Sequence, residues 1–183
     1  MTEKIEQILA HNKKFVESKC YEKYLTTRFP TKKIAILSCM DTRLTELLPA
    51  ALNLRNGDVK IIKNAGGVIS HPFGSVMRSF MVAIYELGVE EILVIGHYDC
   101  GMQGLDTSKI MEKMLARHIK QETIEVIRSC GIDLDLWLKG FDDVETSVKS
   151  TVGMIKNHPL IPEDVAVHGL LIDPETGALT LLA

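Results

Sequence analysis

Hydrophobic residues follow two alternating patterns along this chain. Short apolar runs rich in β-branched residues predict strands, and they cover 33–38, 59–62, 91–96, 165–172 and 178–182. Segments with apolar residues at three- and four-residue spacing predict helices, and they cover 3–18, 45–52, 72–87, 108–129 and 142–156. Strands that alternate with helices in this way are typical of βαβ units and of a mainly parallel sheet.

The last predicted strand is joined to the fourth by a short turn, Asp173-Pro174-Glu175-Thr176-Gly177. A turn of this length suits a hairpin and is too short for a parallel crossover, so the last strand should be antiparallel at an edge. We therefore expect an α/β fold with a central, mainly parallel sheet of four strands plus an antiparallel edge strand, flanked by helices. Residues 1–183 should form a single domain, with an N-terminal helical arm (1–30) and an α/β core (31–183).

Composition narrows the classes of partner. The 183 residues suffice for one core, and 46% hydrophobic with 25% charged residues is ordinary for a globular protein. A net charge of -3 gives no support for binding to nucleic acid or to an anionic membrane. The N-terminus lacks the apolar core of a signal peptide, and no apolar run reaches the roughly 18–20 residues of a membrane span. We expect a cytoplasmic protein that binds neither nucleic acid nor a membrane.

The chain contains four cysteines, Cys20, Cys39, Cys100 and Cys130. Nothing marks the chain as a secreted, loop-rich scaffold, so reduced thiols are expected rather than two disulfides. Cys20 and Cys130 have no nearby His or paired Cys and are interpreted as packing or incidental residues. The other two cysteines, Cys39 and Cys100, lie in segments that contain further potential metal ligands or catalytic residues.

Two segments at the ends of predicted strands carry the candidate chemistry. Cys39 follows the first strand, whereas His97 and Cys100 follow the third. Thiolate sulfur with imidazole nitrogen is a ligand set that selects Zn²⁺, and three protein ligands leave a fourth position for a carboxylate or for water. If these strands are neighbours, their loops converge at one crevice. The sequence predicts one catalytic Zn²⁺ per chain.

Asp41 and Arg43 lie just beyond Cys39, at alternate positions. In extended backbone their side chains would point the same way, and an arginine fork can hold a carboxylate bidentately. Asp41 can then either bind the metal itself or be held by Arg43 and leave the fourth position to water. Water on such a metal has a pKa lowered from about 16 toward about 7. Both arrangements of Asp41 stay open at this point.

The joint pattern Cys39-x-Asp41-x-Arg43 and His97-x-x-Cys100-Gly101, each after an apolar strand, resembles the β-class carbonic anhydrases. The likeness covers most of the chain, since it extends to three further segments, Asn64-Ala65-Gly66, Arg78-Ser79 and Gly169…Asp173…Thr176-Gly177.

The resemblance implies that Cys39, His97 and Cys100 bind the zinc and that Asp41 and Arg43 form the catalytic dyad. The implied reaction is reversible hydration of CO₂ to bicarbonate and a proton by zinc-bound hydroxide. The family also implies a homodimer or higher oligomer, with the N-terminal helix packed on its neighbour and the active site near the interface.

Gly66 and Gly101 would, by the same resemblance, allow close backbone approach in the substrate pocket around the metal. Two other functions remain as alternatives. One is a zinc hydrolase of a related linear substrate, CS₂ or COS, because function depends on the site and its access route rather than on the fold. The other is a non-catalytic, zinc-stabilised oligomeric module with a closed Cys₂-His-Asp site.

Overall fold

In the computed structural model, which describes residues 1–183, five strands form one sheet in the order β2-β1-β3-β4-β5. Neighbouring strands are parallel except for the last pair, which is antiparallel. Every predicted strand is present, and the predicted sheet with its antiparallel edge is confirmed. The strands are β1 (Ile34–Cys39), β2 (Val59–Asn64), β3 (Glu91–His97), β4 (Ala166–Ile172) and β5 (Leu179–Leu181).

Seven α-helices connect and flank the strands. They are α1 (Glu3–Glu17), α2 (Leu44–Ala51), α3 (Ser75–Tyr85), α4 (Thr107–Ala116), α5 (Gln121–Ser129), α6 (Leu134–Leu138) and α7 (Val144–Lys156). Short 3₁₀ turns occupy Glu22–Tyr24 and Ala65–Gly67. No helix combines the length and the apolar character that crossing a membrane requires.

Two helix predictions were wrong in extent. The segment 108–129 forms two helices, because the chain leaves helical geometry after α4 and His118 adopts a left-handed conformation with φ of 68°. Helix α3 begins at Ser75, whereas 72 was predicted. The backbone at Gly74 is extended, and its N–H donates to the carbonyl of His71 at 2.9 Å, so these residues form a turn ahead of the helix.

The strand order places the candidate residues together. Strand β1 lies between β2 and β3, and Cys39 is directly opposite Asn64 in the register of the first pair. The chain runs from β1 to β2 on one side and then crosses to β3 on the other, so the order reverses between β1 and β3. Ligands of open parallel sheets bind beyond the carboxyl ends of strands at such a reversal.

Apolar side chains cover the two faces of the sheet in two clusters. Helices α3 and α7 pack on one face and α2 packs on the other. Helix α7 approaches closely because glycines occupy adjacent strands: a Cβ at Gly96 or at Gly169 would lie 2.7 or 2.8 Å from Val148. This tight packing holds the end of β3 in place, next to His97.

Helix α1 is different, since none of its residues is buried. Its apolar residues form one stripe at the spacing expected for a face that packs on something. Four of them are exposed, namely Ile5, Ile8, Leu9 and Val16.

Candidate metal centre

Three potential ligand atoms converge beyond the ends of β1 and β3. Cys39 and His97 are the last residues of these strands, Cys100 lies in the following loop, and all three are buried. Their ligand atoms lie within 4.8 Å of one another. The two Sγ atoms are 3.8 Å apart, which matches the roughly 3.8 Å between two sulfurs that are each about 2.3 Å from a tetrahedral zinc.

The His97 ring is oriented by its own loop. Nδ1 lies 2.8 Å from the carbonyl oxygen of Tyr98, so Nδ1–H donates this hydrogen bond and Nε2 keeps its lone pair. Nε2 is buried and has no hydrogen-bond partner in the protein. A buried polar nitrogen without a partner is costly, whereas a metal ligand fixed by a second-sphere carbonyl has this arrangement. The Nε2 lone pair is therefore available to bind a metal cation.

The two buried thiols differ in acidity. Burial raises the pKa of Cys39, but the nearby His97 ring and the backbone N–H groups of Asp41 and Gly66 lower it more, to about 7. Burial raises the pKa of Cys100 to about 11, and the adjacent Cys39 adds to the rise. Two thiolates this close cannot both persist without a compensating positive charge. A divalent cation would supply that charge, so the donor set fits Zn²⁺.

Asp41 and Arg43 form the predicted ion pair beside the thiols. Arg43 donates from Nε to Asp41 Oδ1 at 3.1 Å and from a terminal nitrogen to Oδ2 at 2.9 Å. The backbone is a turn rather than the extended segment expected, since Arg43 is in the helical region and its N–H donates to Oδ1 at 2.9 Å. Arg43 holds the pKa of Asp41 at about 2. Asp41 Oδ2 is 3.8 Å from His97 Nε2.

Asp99 completes this group and was not predicted. Its carboxylate Oδ2 and its carbonyl oxygen each accept a hydrogen bond from Arg43 at 2.8 Å. Asp99 adopts a left-handed conformation with φ of 52°. The sequence offered one indication of this role. The residue directly before Cys100 is an Asp, which tolerates a left-handed backbone better than most residues.

The loop after β2 approaches the centre through two glycines. Gly66, with φ of 85°, directs its N–H toward Cys39, and a Cβ there would lie 3.1 Å from Phe141. Gly67, with φ of 64°, is tighter still, because a Cβ would lie 3.0 Å from the backbone nitrogen of Cys39. Gly101 is different: a Cβ there would meet nothing within 4 Å. The close backbone approach to the metal expected at Gly101 stays a prediction.

Gly67 supports a stability prediction. A Gly67→Ala substitution should lower the free energy of unfolding by about 2 kcal/mol and reduce metal content, because it adds a left-handed alanine pressed against β1. Urea unfolding with metal analysis measures both. The control is Gly153→Ala in α7, where a Cβ meets nothing within 4 Å and helix propensity predicts a gain of up to about 1 kcal/mol. Equal stability of the Gly67 variant and the wild type would contradict the steric argument.

Comparisons with known proteins agree with this geometry. The family model described as carbonic anhydrase matches residues 34–179. The Bacillus subtilis protein named "Putative carbonic anhydrase YtiB" is 60% identical over 97% of this chain and 95% of its own length. A carbon disulfide hydrolase of Acidithiobacillus thiooxidans is 31% identical over 81% of this chain and 76% of its own length.

Among solved structures, β-carbonic anhydrase isoform I of Trichomonas vaginalis superposes with a TM-score of 0.89. It shares 37% sequence identity, and the match covers 100% of this chain and 98% of that chain. The resemblance carried by the two strand-end motifs thus agrees with the family model, with sequence identity and with the fold. The chain belongs to the β-carbonic anhydrase family of enzymes.

Proposed function

We propose that this protein catalyses the zinc-dependent, reversible hydration of CO₂ to bicarbonate and a proton. The observation that carries the proposal is a buried Cys39–His97–Cys100 cluster with the Asp41–Arg43 ion pair directly beside it. A structural zinc site is closed by four protein ligands, whereas a catalytic site has three and an open position. Here an arginine already engages the nearest carboxylate, which favours the catalytic arrangement.

The chain's own atoms would hold the zinc through the two sulfurs and His97 Nε2. With both thiolates ionised and the imidazole neutral, the ligands carry two negative charges that balance Zn²⁺. Bound zinc supplies an acidified water that is a nucleophile near neutral pH. Binding of zinc through Nε2 requires the tautomer with the proton on Nδ1. The Tyr98 carbonyl stabilises that tautomer of His97.

Asp41 would orient the attacking water as a hydrogen-bond acceptor. With a pKa of about 2, its carboxyl stays ionised throughout the neutral range and so keeps accepting. Arg43 holds both oxygens of the Asp41 carboxylate in place before the reaction begins. The carboxylate therefore does not have to reorient during the reaction. In this arrangement Asp41 is held on Arg43, and the fourth position on a bound zinc would be left to water.

A second candidate substrate is CS₂, because a relative at 31% identity is named carbon disulfide hydrolase. The chain is 60% identical to the Bacillus subtilis protein named "Putative carbonic anhydrase YtiB", so CO₂ is the favoured substrate. Stopped-flow hydration of CO₂ and sulfide release from CS₂, measured on the same zinc-loaded sample, separate the two. Rapid CO₂ hydration without sulfide supports the proposal, and sulfide release without CO₂ hydration overturns it.

We also propose that the chain self-associates to a homodimer or higher oligomer through α1. The exposed apolar stripe of this helix supports the proposal, since a face of this kind gains free energy when it is covered. The non-catalytic oligomeric module would use the same face, so assembly alone does not decide between the two functions.

Ile8→Asp should lower the mass measured by light scattering toward the 20.4 kDa of one chain. The reason is that a charge in the centre of the apolar stripe must be desolvated on association. Ala10→Asp is the matched control, because it places the same residue on the opposite side of α1. A wild-type mass of one chain, or an unchanged mass for the Ile8 variant, contradicts assembly through this face.

A further inference from the structure

The Arg43 guanidinium lies between acidic residues from two different loops. It contacts Asp41, which follows β1, through two side-chain nitrogens. It contacts Asp99, which follows β3, through hydrogen bonds of 2.8 Å to the carboxylate and 2.8 Å to the carbonyl oxygen. One guanidinium therefore ties together the two loops that carry Cys39 and Cys100.

The backbone conformation of Asp99 allows this contact with Arg43. Its φ of 52° lies in the left-handed region, which side chains other than those of Asn and Asp rarely adopt. In this conformation Asp99 presents both its carbonyl and its carboxylate to Arg43. Two acceptors on one residue fix the direction of the guanidinium as well as its position.

The contact between Arg43 and Asp99 matters because Asp41 could bind the metal instead of Arg43. Its Oδ2 lies 3.8 Å from His97 Nε2, at the edge of the candidate metal site. The Arg43 side chain is long and 36% exposed, so a second partner limits the conformations that it can adopt. The Asp99 side chain is 86% exposed, and an ion pair so exposed contributes little to folding. Its effect falls on the orientation of Arg43.

We propose that Asp99 is a positioning residue that holds Arg43 against Asp41 and thereby keeps Asp41 out of the fourth coordination position. The inference rests on the proposed zinc site and deepens the proposed function. It assigns to the residue before Cys100 the task of keeping the site open to water.

Two substitutions separate the carboxylate from the backbone. Asp99→Gly removes the side chain, tolerates the left-handed conformation and keeps the carbonyl. Asp99→Asn keeps an acceptor oxygen without the charge. The control is Glu90→Gln, which also removes one exposed negative charge, at the opposite end of β3, where Glu90 pairs with Lys33.

The probe is azide binding to the cobalt-substituted full chain, followed through the visible absorption bands of the metal. Azide must compete with Asp41 for the fourth position. We expect one cobalt per chain in every variant and an azide Kd raised about three- to tenfold in Asp99→Gly, the scale of one exposed charge-assisted contact. Asp99→Asn should show a smaller rise and Glu90→Gln none. The kcat for CO₂ should fall in the same order.

The sign of the change makes the test strict. Removing a negative charge near the metal would by itself strengthen azide binding, so an unchanged or lower Kd in Asp99→Gly overturns the inference. Loss of cobalt from that variant also overturns it, because Asp99 would then support the ligand loop rather than Arg43.

The two proposals fail separately. A wild type without CO₂ hydration, combined with a raised azide Kd in Asp99→Gly, contradicts the function and supports the positioning role. A wild type that hydrates CO₂, with an unchanged azide Kd, contradicts the positioning role alone. A wild type that takes up no cobalt contradicts the site and, with it, this inference.

Discussion

Cys39→Ser should abolish zinc binding and, with it, all CO₂ hydration above the uncatalysed rate. The substitution replaces a buried thiol, whose pKa is lowered to about 7, with a hydroxyl that does not ionise in this range. Zinc would be left with one thiolate and one imidazole, and soft-ligand sites depend on each sulfur. We expect less than about 0.1 zinc per chain after dialysis, measured by plasma mass spectrometry.

Cys130→Ser is the matched control, because it makes the same chemical change at an exposed free cysteine. It should retain one zinc per chain and full activity. Full zinc content in the Cys39 variant would contradict the assignment of this thiol as a ligand. Equal zinc loss in both variants would place the metal elsewhere in the chain.

Asp41→Asn should leave zinc in place and lower kcat by about 10²- to 10³-fold, the scale of removing one preorganised electrostatic contact. The amide has nearly the same shape as the carboxylate but no charge. It therefore loses the bidentate pairing with Arg43 and accepts a hydrogen bond from the attacking water less strongly. Stopped-flow kinetics and zinc analysis on the same sample measure both quantities.

The control for Asp41→Asn is Asp164→Asn. Asp164 is an exposed aspartate just before β4, so it lies at the amino ends of the strands, away from Asp41. It should change neither zinc content nor rate. If the Asp41 variant lost its zinc as completely as Cys39→Ser, Asp41 would be a metal ligand, and the closed site would be the better account. An unchanged kcat would remove Asp41 from the mechanism.

The sheet was predictable from sequence because each strand is a short β-branched run bounded by turn residues. Periodicity could not locate the break after α4, since it depends on the left-handed conformation of one polar residue, His118. The start of α3 was displaced for a similar reason, because the turn of His71–Gly74 resembles a first helical turn in composition.

The candidate ligands were predictable because their chemistry is uncommon and their strand ends meet at the reversal of strand order. The Asp41–Arg43 pair was expected from extended backbone, yet it forms through a turn. Asp99 was missed because its role requires a left-handed backbone and a partner from another loop. Neither is encoded by local spacing.

One zinc, held by Cys39, His97 and Cys100, should carry the hydration of CO₂. Titrating the metal-free chain with zinc while following CO₂ hydration by stopped flow tests this prediction most directly. The rate should rise in proportion to added zinc and level off at one zinc per chain. A rate that stays at the uncatalysed value from pH 6 to 9, with one zinc bound per chain, would contradict it.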